Sequence, residues 1–196
     1  KEDFPAETIV GFFYDPNIHP YNEYLLRMED TKRVCNKLNI QMIEGDYNYE
    51  YWLKRVSGYE NEPEKGIRCS ICFDVSLEET AKLAKKIGHN KISTSLLMSP
   101  MKSKEQLANV GKMVKRVYDI DFIIKEYALK GGHQKQQQMA KENQVYRQDY
   151  CGCIFGLIAQ REKNGDNKPD ELYSPITNQI LPASIEERLQ LYAERD

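Results

Sequence analysis

Short apolar runs alternate with longer segments of helical periodicity along most of this chain, and that alternation restricts its fold more than any other feature. Ile9-Val-Gly-Phe-Phe-Tyr14 reads as a buried strand closed by the turn residues Asp15, Pro16 and Asn17. The segment from Tyr21 to Asn39 sets Tyr24, Met28, Cys35 and Leu38 near one helical face, with Asn22 available as N-cap. Gln41 to Glu44 is a second strand candidate and Tyr47 to Val56 a second helix. Ser76-Leu-Glu-Glu79 has the form of a capping box ahead of Ala81, Leu83, Ala84 and Ile87, and Gly88 is placed to end that helix. Lys91 to Thr94 reads as a strand, Ser103 to Tyr118 as a helix and Phe122 to Lys125 as a strand. Parallel strands need a crossover between them, and a helix of this length supplies one. The expected fold is therefore α/β, a Rossmann-like, mostly parallel sheet flanked by helices, with cysteine-rich metal-binding loops and a C-terminal helical tail.

In such sheets ligands lie beyond the carboxyl ends of the strands. The loops Tyr14 to Pro20 and Ser95 to Lys102 follow strand candidates and are the places to expect binding residues. A chain of 196 residues normally builds one core. The expected division is a catalytic, metal-binding domain over residues 1–160 and a linker with a helical extension over 161–196, the linker starting in Lys163-Asn-Gly-Asp-Asn-Lys-Pro169 and the last helix at Ser184. No run of apolar residues is long enough to cross a bilayer, and no export signal opens the sequence, so a cytoplasmic setting without a membrane partner is expected.

The net charge of -2 hides an asymmetry. Between Lys82 and Arg147 the balance is +9, and over the remainder it is -11. A basic middle suits RNA phosphates, and a solvated lysine-rich helix face explains it equally well.

Cys69-Ser-Ile-Cys72 and Cys151-Gly-Cys153 carry the strongest chemical signal. In a reducing compartment, paired cysteines are more often metal ligands or redox groups than disulfides. Four thiolates suit structural zinc or an iron–sulfur cluster, and spacing does not decide between them. A thiol–disulfide redox pair and four inert, buried cysteines are the remaining readings. Cys35 lies on the apolar stripe of its helix and reads as a packed core residue. His19, in a proline-bounded loop, is a candidate proton donor or a structural residue. Tyr47, Tyr49, Tyr51 and Trp52 form an aromatic cluster that fits base stacking or a helix face packed into the core. No nucleotide-cofactor fingerprint accompanies Gly131-Gly132.

Four long motifs go beyond spacing: Phe13-Tyr-Asp-Pro-Asn-Ile-His-Pro20 with Glu23, Tyr24 and Arg27; Glu64-Lys-Gly-Ile-Arg-Cys-Ser-Ile-Cys72; Thr94-Ser-Leu-Leu-Met-Ser-Pro-Met-Lys102; and Tyr146-Arg-Gln-Asp-Tyr-Cys-Gly-Cys153. In this order, and across Phe12 to Phe155, the sequence resembles the epoxyqueuosine reductase QueH family. The resemblance implies reductive removal of the epoxide from epoxyqueuosine at the wobble position of tRNA, the last step of queuosine biosynthesis, without cobalamin. It also implies a 4Fe-4S cluster, an additional metal ion (iron or zinc) and an external electron donor. Cys69, Cys72, Cys151 and Cys153 are then the metal ligands. Asp15, His19 and Tyr14 become the catalytic candidates, and Asn17, Ser99, Lys102, Arg147 and Gln148 the candidates for binding the modified nucleotide. Two departures matter. The family's tandem-cysteine motif, His-x-Cys-Cys-x-Pro, has no counterpart in Lys1 to Val10, so the sequence is expected to begin late in the natural domain, with further ligands upstream. Asp15 stands where asparagine is more frequent, and His19 where relatives also carry glutamine. The competing readings are a non-catalytic, zinc-binding RNA module and a thiol-redox or sulfur-transfer enzyme.

Overall fold

The computed structural model describes residues 4–125 and 132–165. Within them the order is β1 (Val10–Phe13), α1 (Tyr21–Lys37), β2 (Gln41–Glu44), α2 (Tyr49–Val56), α3 (Ile67–Lys86), β3 (Lys91–Ile92), a 3-10 turn (Ser95–Met98), α4 (Lys104–Tyr118), β4 (Asp121–Phe122), α5 (Gly132–Glu142) and α6 (Ile154–Lys163). The chain divides into two compact units. One comprises residues 1–47 and 140–196, and the other residues 48–139.

In the first unit β1 pairs in parallel with β2, Val10 opposite Gln41 and Phe13 opposite Glu44, and α1 is the crossover between them. The helix begins at Tyr21, with Pro20 rather than Asn22 at the N-cap. Phe13, Ile18, Tyr24 and Met28 form the buried cluster, with Leu25, Met42 and Tyr47 packed against it. Tyr24 is the pivot: its ring meets Phe13 edge-on at 5.3 Å and Tyr47 at 4.4 Å. Cys35 is buried on α1, as its place on the apolar stripe implies. Its sulfur faces Gly11, where an added Cβ would lie 3.2 Å away.

In the second unit β3 and β4 pair in parallel, Lys91 with Asp121 and Ile92 with Phe122. Helices α3 and α4 bury Phe73, Leu77, Ala81, Ala84, Leu107, Val110 and Val114 in one cluster with Ile92, Leu97 and Ile120. The close approach of α4 to β4 depends on Gly111, where an added Cβ would sit 2.0 Å from the Phe122 ring. Ser103, expected as the first residue of this helix, is instead its N-cap and accepts from the Gln106 N–H through its side chain.

Parallel pairing and the mixed α/β class agree with the sequence. The pairing itself is narrower than a continuous Rossmann-like sheet: among the described residues the strands form two separate two-stranded sheets, β1 with β2 and β3 with β4. Helix α3 also starts earlier than its capping-box signal. Gly66 is its N-cap, Glu62 accepts from the Ile67 N–H at 3.0 Å, and Ser76 lies inside the helix with its carbonyl accepting from the Thr80 hydroxyl. Phe73, Leu77, Ala81 and Ala84 form one continuous apolar stripe, and burying it outweighs a local cap at Ser76. The helix stops where Gly88 takes φ +82. At the other end of the chain α6 continues to Lys163, with Asn164 at its C-cap. The helix expected from Ser184 lies outside the described residues.

Candidate metal centre

Cys69 and Cys72 lie one turn apart in the first two turns of α3, on a helix rather than a loop. This end of a helix is electropositive and favours a thiolate over a thiol. Each sulfur also receives an N–H. Lys65, in the left-handed region at φ +67, donates its backbone N–H to Cys69 Sγ at 3.3 Å, and Trp52 donates its indole N–H to Cys72 Sγ at 3.3 Å. The turn before α3 is held in turn by Gln106 of α4, whose amide nitrogen lies 2.9 Å from the Lys65 carbonyl, 3.0 Å from the Gly66 carbonyl and 2.8 Å from the Ser70 hydroxyl. Arg68, buried beside Cys69, donates to the carbonyls of Tyr59 at 3.0 Å and Glu60 at 2.7 Å and so straps the preceding loop to the helix.

The second pair belongs to the other unit and precedes α6. Cys153 is the N-cap of that helix, its sulfur accepting from the Gly156 N–H at 3.4 Å, and it is 8% exposed. Between the two cysteines Gly152 takes φ +121, and an added Cβ would come within 3.0 Å of the Arg27 guanidinium and 3.1 Å of Ile18. The glycine is thus required both by backbone angle and by space.

Arg27 organises this loop. Its guanidinium donates to the carbonyls of Tyr150 and Cys151, each at 3.2 Å, and pairs with Glu23 at 2.9 Å. It also lies 5.3 Å from the centre of the Tyr150 ring. Glu23 accepts in addition from the Tyr146 hydroxyl at 3.0 Å, and Asp30 accepts from the Tyr146 N–H at 3.0 Å and from Arg33. The loop after β1 closes on the same loop: the His19 N–H donates to the Gly152 carbonyl at 2.8 Å, and the Tyr150 hydroxyl donates to the His19 carbonyl.

Among the sequence candidates, Tyr14, Asp15, Asn17, His19, Cys151, Cys153, Arg147 and Gln148 fall in this first unit and Cys69, Cys72, Ser99 and Lys102 in the second. Asn17 and His19 are buried, at 6% and 5% exposure. Burial raises the Asp15 carboxyl from 3.8 to about 6, an effect opposed by the Arg27 charge and reinforced by Cys151. Tyr14 stacks on Phe12 at 5.7 Å. Ser99 accepts from the Met101 N–H within its own turn, and the Lys102 ammonium pairs with Glu64 at 3.4 Å. Arg147 and Gln148 are exposed. The aromatic cluster also divides: Trp52 is 1% exposed and belongs to the interior, whereas Tyr47, Tyr49 and Tyr51 are half-buried.

Among the described residues no three His, Cys, Asp or Glu side chains gather into a set able to hold a metal ion. Each pair supplies two free cysteine sulfurs. Its chemistry nevertheless fits a soft metal or an iron–sulfur group, because three of the four sulfurs accept N–H donors that favour the anionic ligand form. Arg27, Glu23, Tyr150 and Gln106 were not singled out as site residues by spacing. The sequence signal for them was their place inside or beside the four motifs.

The family described as epoxyqueuosine reductase QueH matches residues 3–159. An epoxyqueuosine reductase QueH of Helicobacter pylori is 46% identical over 201 aligned residues, covering 100% of this chain and 54% of the relative. The Thermotoga maritima protein of that name is 38% identical, covering 83% of this chain and 86% of its own length, and the Acinetobacter baylyi one 42%, covering 74% and 67%. The chain spans about half the length of the H. pylori relative. Among the described residues no helix is long and apolar enough to cross a membrane.

Proposed function

Because this chain belongs to the epoxyqueuosine reductase QueH family, we propose that it removes the epoxide oxygen from epoxyqueuosine in tRNA to give queuosine. The observation that carries the proposal is that the sulfurs of Cys69, Cys72 and Cys153, inside the matched region, each accept an N–H aimed at them. Such donors favour thiolates, the form in which cysteine holds a metal.

Reductive removal of an epoxide oxygen consumes two electrons and two protons and releases water. The 4Fe-4S cluster, with Cys69, Cys72, Cys151 and Cys153 among its ligands and those of an accompanying iron or zinc ion, supplies single-electron chemistry when bound. The electrons come from an external donor, and no cobalamin takes part.

The side chains around the Cys151–Cys153 loop serve positioning and protons. Arg27 holds the Tyr150 and Cys151 carbonyls, so protein hydrogen bonds alone fix this part of the loop. Asp15, with its pKa near 6, retains a proton in part of the population at neutral pH and is the candidate acid for the departing oxygen. The backbone of His19 fastens the loop through Gly152 and Tyr150, and its buried side chain is the second candidate for supplying a proton. Tyr14 and Asn17 flank Asp15 on the loop that follows β1, the end of a parallel strand where ligands bind. Ser99, Lys102, Arg147 and Gln148 supply hydroxyl, ammonium, guanidinium and amide groups for ribose, diol or phosphate oxygens. A nucleotide in the anticodon must leave its stack to reach such a site. Residues 1–160 act as the catalytic portion and 161–196 as an extension, in the cytoplasm where tRNA is modified.

The test is anaerobic purification followed by iron and sulfide analysis, then incubation with a reductant and epoxyqueuosine-containing tRNA. Queuosine should appear, and Cys151→Ala should abolish both the brown colour and turnover. Iron-loaded protein that forms no queuosine would refute the activity. Colourless protein with stoichiometric zinc and undiminished RNA binding would favour a zinc module instead.

A further inference from the structure

We propose that Trp52 is a positioning residue for the metal centre, its indole N–H fixing the Cys72 sulfur by a hydrogen bond and making the bound group easier to reduce. The inference rests on the iron–sulfur reading above. Trp52 is 1% exposed and lies on α2, where its ring stacks on Tyr49 at 5.9 Å. A core tryptophan needs only apolar neighbours for its ring, but its N–H is a donor that is costly to bury without an acceptor. That N–H points at Cys72 Sγ, 3.3 Å away. A neutral thiol is a weak acceptor and a thiolate a strong one, so spending a buried donor on sulfur is favourable when the sulfur is charged.

The donor is also held in place. Arg55, one turn from Trp52 on α2, donates to Asp74 at 2.8 Å and to Glu78 at 3.4 Å, both on α3, and Val56 is 1% exposed beside it. These ties fix α2 against the helix that carries Cys72, and with it the backbone from which the indole reaches the sulfur. Cys69, one turn earlier, receives the Lys65 backbone N–H. Trp52 does from a side chain what Lys65 does from the backbone, and unlike a backbone donor it can be altered chemically.

A donor aimed at a ligating sulfur stabilises the redox state with more negative charge, which is the reduced one. Trp52 is the only tryptophan in the sequence, so growth of a tryptophan auxotroph on an analogue changes this position alone. β-Benzothienylalanine keeps the bicyclic shape and replaces the N–H by sulfur. 5-Fluorotryptophan keeps the N–H and makes it more acidic. Both proteins are purified anaerobically beside the unmodified one, iron and sulfide are counted, and the midpoint potential is measured by spectroelectrochemical titration. The benzothienyl protein should titrate at lower potential, with a reduced-to-oxidised ratio at fixed applied potential roughly three- to tenfold smaller. The fluorinated protein should match or exceed the unmodified one. Loss of iron from the benzothienyl protein alone supports the same role. Equal potentials with equal iron overturn this inference and leave the reductase reading intact, as does equal loss of iron from both analogues, which would make the ring a packing residue only. Unmodified protein devoid of iron overturns the iron–sulfur reading and this inference with it.

Discussion

Replacing Arg27 by methionine should markedly destabilise the first unit. The side chain and its partner Glu23 are each 11% exposed, so the pair sits where water screens it weakly. Methionine removes the ion pair, both carbonyl bonds and the contact with the Tyr150 ring, while leaving much of the aliphatic stem. Breaking one partner of a buried pair costs about 3–5 kcal/mol, and the orphaned carbonyls fall within that range because the losses are not additive. Arg27→Lys keeps the charge beside Glu23 but lacks the planar fork needed to serve two carbonyls as well, so its loss should be about half as large. Part of the methionine penalty is the stranded Glu23 carboxylate, which would retain the Tyr146 hydroxyl. The double change Glu23→Gln with Arg27→Met should therefore recover about 1–2 kcal/mol relative to Arg27→Met alone. Urea denaturation followed by circular dichroism measures all four proteins, with the slope checked for two-state behaviour. The reasoning is refuted if Arg27→Met costs under about 1 kcal/mol, or if the double variant is no more stable than the single one.

Gly152→Ala should cost roughly 1–3 kcal/mol, because φ +121 disfavours any Cβ and the methyl group would press on Arg27 and Ile18. Thermal unfolding measures that loss, and metal analysis should show weaker retention at Cys151 and Cys153. Gly111→Ala on α4 gains helix propensity of about 1 kcal/mol but forces a methyl group into the Phe122 ring; the overpacking should win, lowering the Tm, and Phe122→Leu should relieve part of it. For Asp15 the sign follows from its raised pKa: between 3.8 and about 6 the folded protein binds more protons than the unfolded one, so stability falls as pH rises through that window. In metal-free protein Asp15→Asn should thus raise stability at pH 7.5 by up to roughly 3 kcal/mol and change little at pH 3.5, a comparison that denaturant midpoints at the two pH values decide.

Much of the second unit can be read directly from residue order. The helix that ends at Tyr118 and the stop at Gly88 follow from local chemistry acting within a few residues, and the structure has them at those places. The alternation of strand-like and helical segments likewise foretells α/β with parallel pairing, because a short apolar run followed by an amphipathic helix has few other ways to bury both. The start of α3 was not legible, since the local signal at Ser76 competes with an apolar stripe whose value exists only once α4 packs on it.

The two cysteine pairs stand out in the sequence for a similar reason. Thiol side chains at close spacing are visible as letters, whatever surrounds them. What surrounds them is not. The donors to Cys69 and Cys153 are backbone N–H groups, which every non-proline residue carries, and the acceptors that fix Arg27 are the carbonyls of Tyr150 and Cys151, more than a hundred residues away. Backbone groups carry no residue identity, so no pattern of letters announces them. Trp52 shows the same division within one side chain: its ring reads as core or stacking surface, and only tertiary packing aims the N–H at Cys72. Residue order names the sulfurs, and the fold decides which N–H groups are aimed at them, because hydrogen-bond direction is a property of three-dimensional placement.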